Sequence, residues 1–505
     1  MIRRPGFLVR VITAVLVLLA TPGIAHAHAM LKRAQPGSGA HLAAVPTEIR
    51  LDFTEAPELS VSRIELRAPD GSLVQLATLV TASDSRRSLV AAIRGVLTAG
   101  TYTVVWVVAG SDGHPIRGSY TFTIAPGATG VGVPAATAGE AGAAITAPGQ
   151  LPPPAAHHNA VSMPEGPGFG SESPAYVAIR WLLFTGLLLV IGAVVFRSVV
   201  LAFMARQDRV RPGGTEDSSA GMRAAARGRV ATVGLIASTM VAVAVILRLI
   251  AQSYAMHGAE QAWNGSLVGS MLQRTVWGWG WVLQLVGVVT AAIGFTIARR
   301  GWRLAWPIAA LGALMLAFTP ALSGHAASAP RLTALVVLAD GLHVIGAGGW
   351  LGSLLMLVVV GIPVALGQGE TARGPAVAAF VNAFSPTALV FAGLSASTGV
   401  FAAWVHLGTV PALWQTSYGK TLLLKLAILS VVAATGAYNW LRVKPSLGTA
   451  EGADRIRRSA TVELAVGVLV LIVTAVLVAT PTAMDVAEMN ATAATVAAPT
   501  TGASR

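Results

Sequence analysis

WLLFTGLLLVIGAVVF, residues 181–196, is a run of apolar side chains without a single charged residue. Eight predominantly apolar stretches of the chain are about 20 residues or longer, which is enough to cross a bilayer as a helix. Charged residues make up only 11% of the 505 residues, and hydrophobic residues make up 54%, whereas about a quarter of a soluble domain is charged. The sequence therefore predicts an all-α polytopic membrane domain over residues 176–480. Its eight predicted transmembrane helices are 176–203, 229–254, 276–298, 304–322, 332–361, 377–406, 421–441 and 460–480.

Basic side chains are concentrated in alternate loops between these predicted spans. Loops with many Arg and Lys residues stay in the cytoplasm by the positive-inside rule, so we expect the N-terminal domain and the tail 481–505 on the extracytoplasmic side. The net charge of +13 thus reflects the orientation of the protein in the cytoplasmic (inner) membrane. No nucleic-acid partner is expected. The basic residues of the odd-numbered loops are Arg206, Arg209, Arg211, Arg223, Arg227, Arg299, Arg300, Arg303, Arg373, Lys444, Arg455, Arg457 and Arg458.

Residues 1–27 are typical of a signal peptide. A basic start is followed by the apolar stretch Val11–Ala20 and by the small-x-small cleavage motif Ala25-His26-Ala27. Cleavage after Ala27 makes His28 the first residue, whose α-amine and imidazole together suit Cu(II), an ion that favours nitrogen ligands in a tetragonal plane. The alternative is that His28 only happens to lie beside a processing site.

Residues 28–126 have the pattern of a small all-β domain. Apolar and polar residues alternate in Glu48–Phe53, in Arg63–Arg67 and in Ser119–Ile124. Turn residues separate these stretches at the spacing of an Ig-like sandwich. Residues 127–175 are rich in Gly, Ala and Pro, and this composition predicts a flexible linker.

The sequence Asp112-Gly113-His114-Pro115 precedes the last predicted strand. Asp112 and His114 are two residues apart, so in an extended backbone their side chains share one side. With His28 they form a nitrogen-rich set that suits Cu(II), although the same four residues also make an ordinary turn. The chain has no Cys, so disulfides and thiolate metal sites are excluded.

Residues 28–124 resemble the CopC family of periplasmic copper-resistance proteins. The matching features are His28-Ala29-x-Leu31, the strand end Leu51–Glu55, and Asp-Gly-His-Pro before a Gly-x-Tyr-x-Phe strand. The resemblance implies a cupredoxin-like sandwich that binds one Cu(II) through His28, Asp112 and His114, with Glu55 as an acid beside the metal. Met30 is the only Met of the domain, so the Met-rich Cu(I) site of some family members is not expected.

Ionisable residues inside the predicted spans are functional candidates, because charges in a bilayer are costly. Asp340 and His343 are three residues apart and share one helix face. They could bind a cation, relay a proton or tie helices together. His325 and His406 are predicted near the same, outer side. Lys425, with Glu463 and Asn439, is expected to form polar pairs that hold the bundle together.

Residues 176–480 resemble the CopD family of inner-membrane copper proteins. The supporting features are Asp340-Gly-Leu-His343, Gly348-Gly-Trp-Leu-Gly352, Phe384-Ser385, Thr416-Ser-Tyr-Gly-Lys420 and Asn439. The resemblance implies that copper crosses the membrane, usually inward, after delivery by a CopC partner. Here both parts are joined in one chain, and the resemblance offers Asp340, His343, His325 and His406 as residues of the transport path.

The sequence thus predicts a copper-binding and copper-transport membrane protein that captures Cu(II) outside the cell and passes copper inward, with Cu(I) in the membrane path. Its expected partners are copper ions, the lipid bilayer and extracytoplasmic copper donors. No phosphate-binding Gly-x-x-x-x-Gly-Lys-Ser/Thr motif is present, so no nucleotide partner and no ATP-driven pumping are expected. The chain is expected to be a transporter rather than an enzyme. Two alternatives remain open, namely a haem-binding membrane redox protein that reduces extracytoplasmic copper and a membrane-anchored copper buffer.

Overall fold

The computed structural model forms two compact units, one containing the β domain and one containing most of the helices, and each is described by itself. The predicted signal peptide, most of the predicted linker and nearly all of the tail lie outside the described residues. So do His28, Glu55, Asp112, His114 and His325. The described residues are 31–54, 56–59, 62–109, 115–128, 173–210, 216–302, 304–322, 333–439, 441, 450–480 and 482–484.

The β domain is a sandwich of two sheets, as predicted. One sheet has the strand order β1-β3-β7-β6 and the other has the order β2-β9-β8-β4-β5. The strands are β1 (Leu31–Gln35), β2 (His41–Leu42), β3 (Glu48–Phe53), β4 (Arg63–Arg67), β5 (Leu73–Val74), β6 (Val80–Thr81), β7 (Ser88–Ala92), β8 (Gly100–Ala109) and β9 (Pro115–Ile124).

The alternating residues form the core of this sandwich. Ile49, Leu51 and Phe53 of β3 are buried, while the residues between them are partly exposed, as the period of two requires. The ring of Phe53 meets Trp106 of β8 edge to face, with 5.6 Å between ring centroids. A Cβ atom at Gly118 of β9 would lie 2.4 Å from Cζ2 of Trp106. Gly118 therefore leaves the space that the indole ring occupies.

The helical part contains, within the described residues, eight helices that are long and apolar enough to cross a membrane, in agreement with the prediction. The helices are α1 (Pro174–Val195), α2 (Leu201–Val210), α3 (Glu216–Gln261), α4 (Gly265–Arg274), α5 (Val276–Ala298), α6 (Ala305–Leu322), α7 (Thr333–Ala347), α8 (Ser353–Met356), α9 (Ile362–Leu366), α10 (Arg373–Leu407), α11 (Ala412–Gln415), α12 (Ser417–Tyr438) and α13 (Ala450–Ala479). Several spans combine more than one of these helices: α1 continues through a π-helical turn, Phe196–Val200, into α2, and two further π-helical turns join α7, α8 and α9.

Small residues allow the helices of the bundle to approach closely. A Cβ atom at Gly192 of α1 would lie 2.2 Å from the carbonyl carbon of Gly352, so neither backbone leaves room for a side chain there. A Cβ atom at Gly346 of α7 would lie 2.7 Å from the backbone nitrogen of Ser395 in α10. Close contacts of this kind are typical of membrane helices, and the second contact brings the ionisable residues of α7 against α10.

Candidate metal sites

The chain segments that flank the predicted Cu(II) ligands meet at one end of the sandwich. Leu31, three residues after His28, is paired with Phe53, two residues before Glu55. The backbone nitrogen of Glu58 donates to the carbonyl oxygen of Ala109, at 2.8 Å. Ala109 is paired with Pro115, so these two residues bracket the segment that contains Asp112 and His114. The predicted ligands themselves lie outside the described residues, and their assignment stays a prediction.

Two arginines lie beside this end of the sandwich. Arg63 of β4 and Arg117 of β9 are both paired with Val107, one from each side. Burial lowers the pKa of Arg117, and the positive charge of Arg63 lowers it further. Because like charges repel, these two guanidinium groups disfavour a bare dication nearby, and an anionic ligand would offset this repulsion.

In the membrane bundle, the imidazole of His343 is fixed by α10. Its Nδ1 lies 2.9 Å from the carbonyl oxygen of Ser395 and 3.2 Å from Oγ1 of Thr398. The hydroxyl of Thr398 donates to the carbonyl of Leu394, at 2.7 Å, so its oxygen remains an acceptor. Both neighbours of Nδ1 therefore accept, which requires the proton on Nδ1 and leaves the Nε2 lone pair for a metal ion.

Gly399 provides the space beside this ring, because a Cβ atom there would lie 3.1 Å from Cε1 of His343. One turn earlier on α7, Asp340 is partly exposed. Its carboxylate interacts electrostatically with the ammonium group of Lys425 in α12. Within the described residues this carboxylate has neither a hydrogen bond nor an ion pair, so its oxygens are available to a cation. We call Asp340, His343 and Lys425 the Asp340 cluster.

His406 is not part of this cluster. It is eleven residues after Ser395 on α10, which corresponds to about 16 Å along a helix axis. Its ring instead meets Tyr418 edge to face at 6.3 Å, where Tyr418, Leu422 and Leu477 form a small apolar cluster. In the part of the chain that the structure describes, no three His, Cys, Asp or Glu side chains come together in a group that would hold a metal ion.

The expected polar pairs of the bundle are found in part. Asn439 donates a hydrogen bond to Glu463, as predicted. Lys425 interacts with Asp340 and also with His343, an interaction between different helices that the sequence did not reveal.

The bundle contains a second polar cluster that was not predicted from the sequence. It consists of Arg180, Arg248, Gln284 and Thr319, all buried. We call these four residues the arginine cluster. The signal was present, because Arg180 lies in the span predicted at 176–203 and Arg248 in the span predicted at 229–254, and charges at such positions are rare.

Comparisons with known proteins agree with this division of the chain. A family model described as "CopC domain" matches residues 31–125, that of the "Copper resistance protein D-like, N-terminal domain" matches residues 171–330, and that of "Copper resistance protein D" matches residues 378–477. These matches cover the β domain and two parts of the helical bundle.

Among individual proteins, the copper transport protein CutJ of Bacillus subtilis is 25% identical over 478 residues, which cover 93% of this chain and 77% of CutJ. Copper resistance protein C of Escherichia coli is 36% identical over 106 residues, 20% of this chain and 83% of that protein. Copper resistance protein D of Pseudomonas syringae pv. tomato is 27% identical over 316 residues, 59% of this chain and 94% of that protein. CutJ thus resembles both parts of the chain together.

Proposed function

We propose that this chain, which belongs to the CopC and CopD families of copper-resistance proteins, captures Cu(II) outside the cell and passes copper inward across the cytoplasmic membrane. The protein is a multi-pass membrane protein, and its relatives are named for copper transport and copper resistance. In this proposal the β domain lies on the extracytoplasmic side, the linker 127–175 joins it to the bundle, and the protein is a transporter rather than an enzyme. Copper is its cargo, received from extracytoplasmic donors.

In the β domain, we assign Cu(II) binding to the amine and imidazole of a mature N-terminal His28, with His114 and Asp112. The support is the pairing of Leu31 with Phe53 and the hydrogen bond from Glu58 to Ala109, because His28, Glu55 and the Asp112–His114 segment lie within a few residues of these positions. The carboxylate of Asp112 would offset the repulsion by Arg63 and Arg117. Glu55 remains an acid beside the metal rather than a ligand.

In the membrane, we assign the first step of passage to Asp340 and His343. The hydrogen bond from His343 Nδ1 to the carbonyl of Ser395 is the observation that carries this assignment, because it orients Nε2 as a metal ligand. Asp340 supplies negative charge one turn away, and either copper oxidation state is attracted to it. A reducing cytoplasm favours Cu(I) at the inner end. His325 and His406 stay candidates for other points of the path.

The β-domain assignment is tested by retaining one extra residue before His28, which removes the α-amine from the chelate. We expect the affinity for Cu(II) to fall at least tenfold, about 1.4 kcal/mol, in a titration of the purified full chain. The control is His41→Ala, which removes an exposed imidazole of the same domain and should leave the affinity unchanged. If the extended chain binds as tightly as the natural one, the amine is not a ligand.

The membrane assignment is tested by Asp340→Asn, which keeps the shape of the side chain and removes its charge. We expect copper uptake into cells to fall about tenfold or more, while Cu(II) binding by the β domain is retained. The matched control is Asp208→Asn, which removes a carboxylate that pairs with Arg223 far along the chain from α7. Unchanged uptake in Asp340→Asn would place the path elsewhere.

The same preparations separate the alternatives. A Soret band in the absorption spectrum of the purified protein would indicate a haem protein. Copper that accumulates at the cell surface without entering the cytoplasm would indicate a membrane-anchored buffer. A rise in cytoplasmic copper at fixed external copper, with no Soret band, is the result expected for an importer.

A further inference from the structure

Arg180 of α1 is buried, and within the described residues it has no negatively charged partner. Its side chain is 7% exposed. One terminal nitrogen donates to the carbonyl oxygen of Val478 at 3.3 Å, and the other donates to the hydroxyl of Tyr176. The guanidinium carbon lies 4.5 Å from the centre of the Tyr176 ring. All these partners are neutral, and the buried Nε has no hydrogen-bond partner within the described residues.

A second buried guanidinium group, that of Arg248, belongs to α3. Arg248 is 5% exposed and repels Arg180 electrostatically. Its Nη1 donates to Oε1 of Gln284 at 2.7 Å. Nε2 of Gln284 in turn donates to Oγ1 of Thr319 at 2.9 Å, which fixes the amide with its oxygen towards Arg248. Hydrogen bonds of Arg248, Gln284 and Thr319 thus link α3, α5 and α6, and the charge of Arg180 in α1 acts on this network electrostatically.

Arginine cannot release its proton in a protein, so the free-energy cost of burying these charges cannot be avoided by neutralisation of the side chain. A buried charge costs several kcal/mol unless it is paired and hydrogen-bonded. For Arg180 the hydrogen bonds are incomplete, and its neighbour adds repulsion. A negative charge beside Nε would satisfy the remaining donor and offset both guanidinium groups.

The size of this negative charge is limited by burial. A guanidinium group that is less than one tenth exposed is not open to a phospholipid headgroup, and its burial among the helices favours a small ion. Chloride is a small monovalent anion that accepts hydrogen bonds from guanidinium groups. We propose that Arg180, together with Arg248, binds a small inorganic anion, chloride under ordinary conditions, between α1 and α3. This site does not depend on the proposed copper path.

The test compares the unfolding temperature of the purified full chain in sodium chloride, sodium bromide and sodium gluconate at equal ionic strength. Chloride and bromide should raise the midpoint saturably, by about 2–4 °C, whereas gluconate is too large for the site. Arg180→Gln removes the charge and should abolish the difference between chloride and gluconate. Arg274→Gln, an exposed arginine at the end of α4, changes the net charge equally and should retain the difference.

A second measurement does not depend on a folded variant. Bromide bound to the natural chain should give an anomalous diffraction peak within hydrogen-bond distance of Arg180 Nε. The proposal is wrong if the unfolding midpoint of the natural chain is the same in chloride and gluconate. It is equally wrong if Arg180→Gln keeps the full chloride effect, or if bromide occupies only other places.

Discussion

The bundle contains two clusters of charged side chains, and they differ in how their polar groups are satisfied. In the arginine cluster, three of the four members, Arg248, Gln284 and Thr319, form a continuous chain of hydrogen bonds, and each of these side chains is at least nine-tenths buried. Nε of Arg180, the fourth member, has no partner within the described residues. In the Asp340 cluster, the side chains are partly exposed and the carboxylate has no hydrogen bond within the described residues. Buried polar networks hold structure together when every member is satisfied, whereas an unbonded carboxylate and a free Nε2 are available to a passing ion. We therefore propose that the hydrogen-bonded chain of Arg248, Gln284 and Thr319 stabilises the bundle, and that the Asp340 cluster serves the passage of copper.

The largest effect that would test this division is expected from Gln284→Leu. The substitution leaves Nη1 of Arg248 without its acceptor in a buried place. We expect the free energy of unfolding to fall by about 2–4 kcal/mol, measured by denaturant unfolding of the purified protein in detergent. Copper uptake per folded molecule should be retained, because the Asp340 cluster is untouched.

Gln368→Leu is the matched control for this variant. Its amide donates to the carbonyl of Val364 at the end of α9 and is only partly buried, so the expected loss is below about 1 kcal/mol. Equal losses in the two variants would mean that the arginine cluster has no special role in stability. A loss of uptake in Gln284→Leu at full stability would mean that the two clusters are not separate in function.

A smaller effect, confined to the Asp340 cluster, is expected from Thr398→Val. The substitution keeps the side-chain shape but removes the hydroxyl oxygen 3.2 Å from His343 Nδ1, while the carbonyl of Ser395 still holds the ring. We expect copper uptake to fall two- to fivefold, which is below about 1 kcal/mol, with little change in the unfolding midpoint. Thr387→Val is the control, because within the described residues the hydroxyl of Thr387, in the same helix, bonds only to the backbone carbonyl of Ala383. The assignment of His343 is contradicted if both variants transport equally well.

The parts of the molecule that follow from local pattern could be predicted, and the parts that follow from packing could not. The alternation at Ile49, Leu51 and Phe53 identified β3, and apolar length identified the eight helices. The partner of His343 is a backbone carbonyl 52 residues away, and its position depends on the close approach that Gly346 allows. No periodicity contains that information.

The charged residues of the spans could be identified from the sequence, but their interaction partners could not. Asp340 and His343 were found because three residues separate them on one helix. Lys425 was expected beside Glu463 and Asn439, yet it interacts with Asp340 because α12 brings it there. Arg180 and Arg248 belong to different helices, so each is visible in the sequence alone, whereas their proximity is a property of the fold.

The smallest effect is expected where a similar set of charges is surrounded by water. On the β sandwich, Arg50 bonds Asp84 at 2.9 Å and Asp52 at 3.0 Å, and the hydrogen bond from Arg50 lowers the pKa of Asp84. A carboxyl with a lowered pKa stabilises the folded state above the pKa of the unfolded chain, about 3.9, and this contribution is lost as the pH falls through the folded value. Because Asp84 is exposed and screened by solvent, Asp84→Asn should leave hydrogen exchange of the β3 and β7 amides unchanged at pH 7. At pH 3 the natural chain and the variant should also agree. A clear acceleration of exchange in Asp84→Asn at pH 7 would contradict this expectation, because it would mean that a solvated pair stabilises this protein as much as a buried one. Burial would then no longer explain the contrast between the two clusters of the bundle.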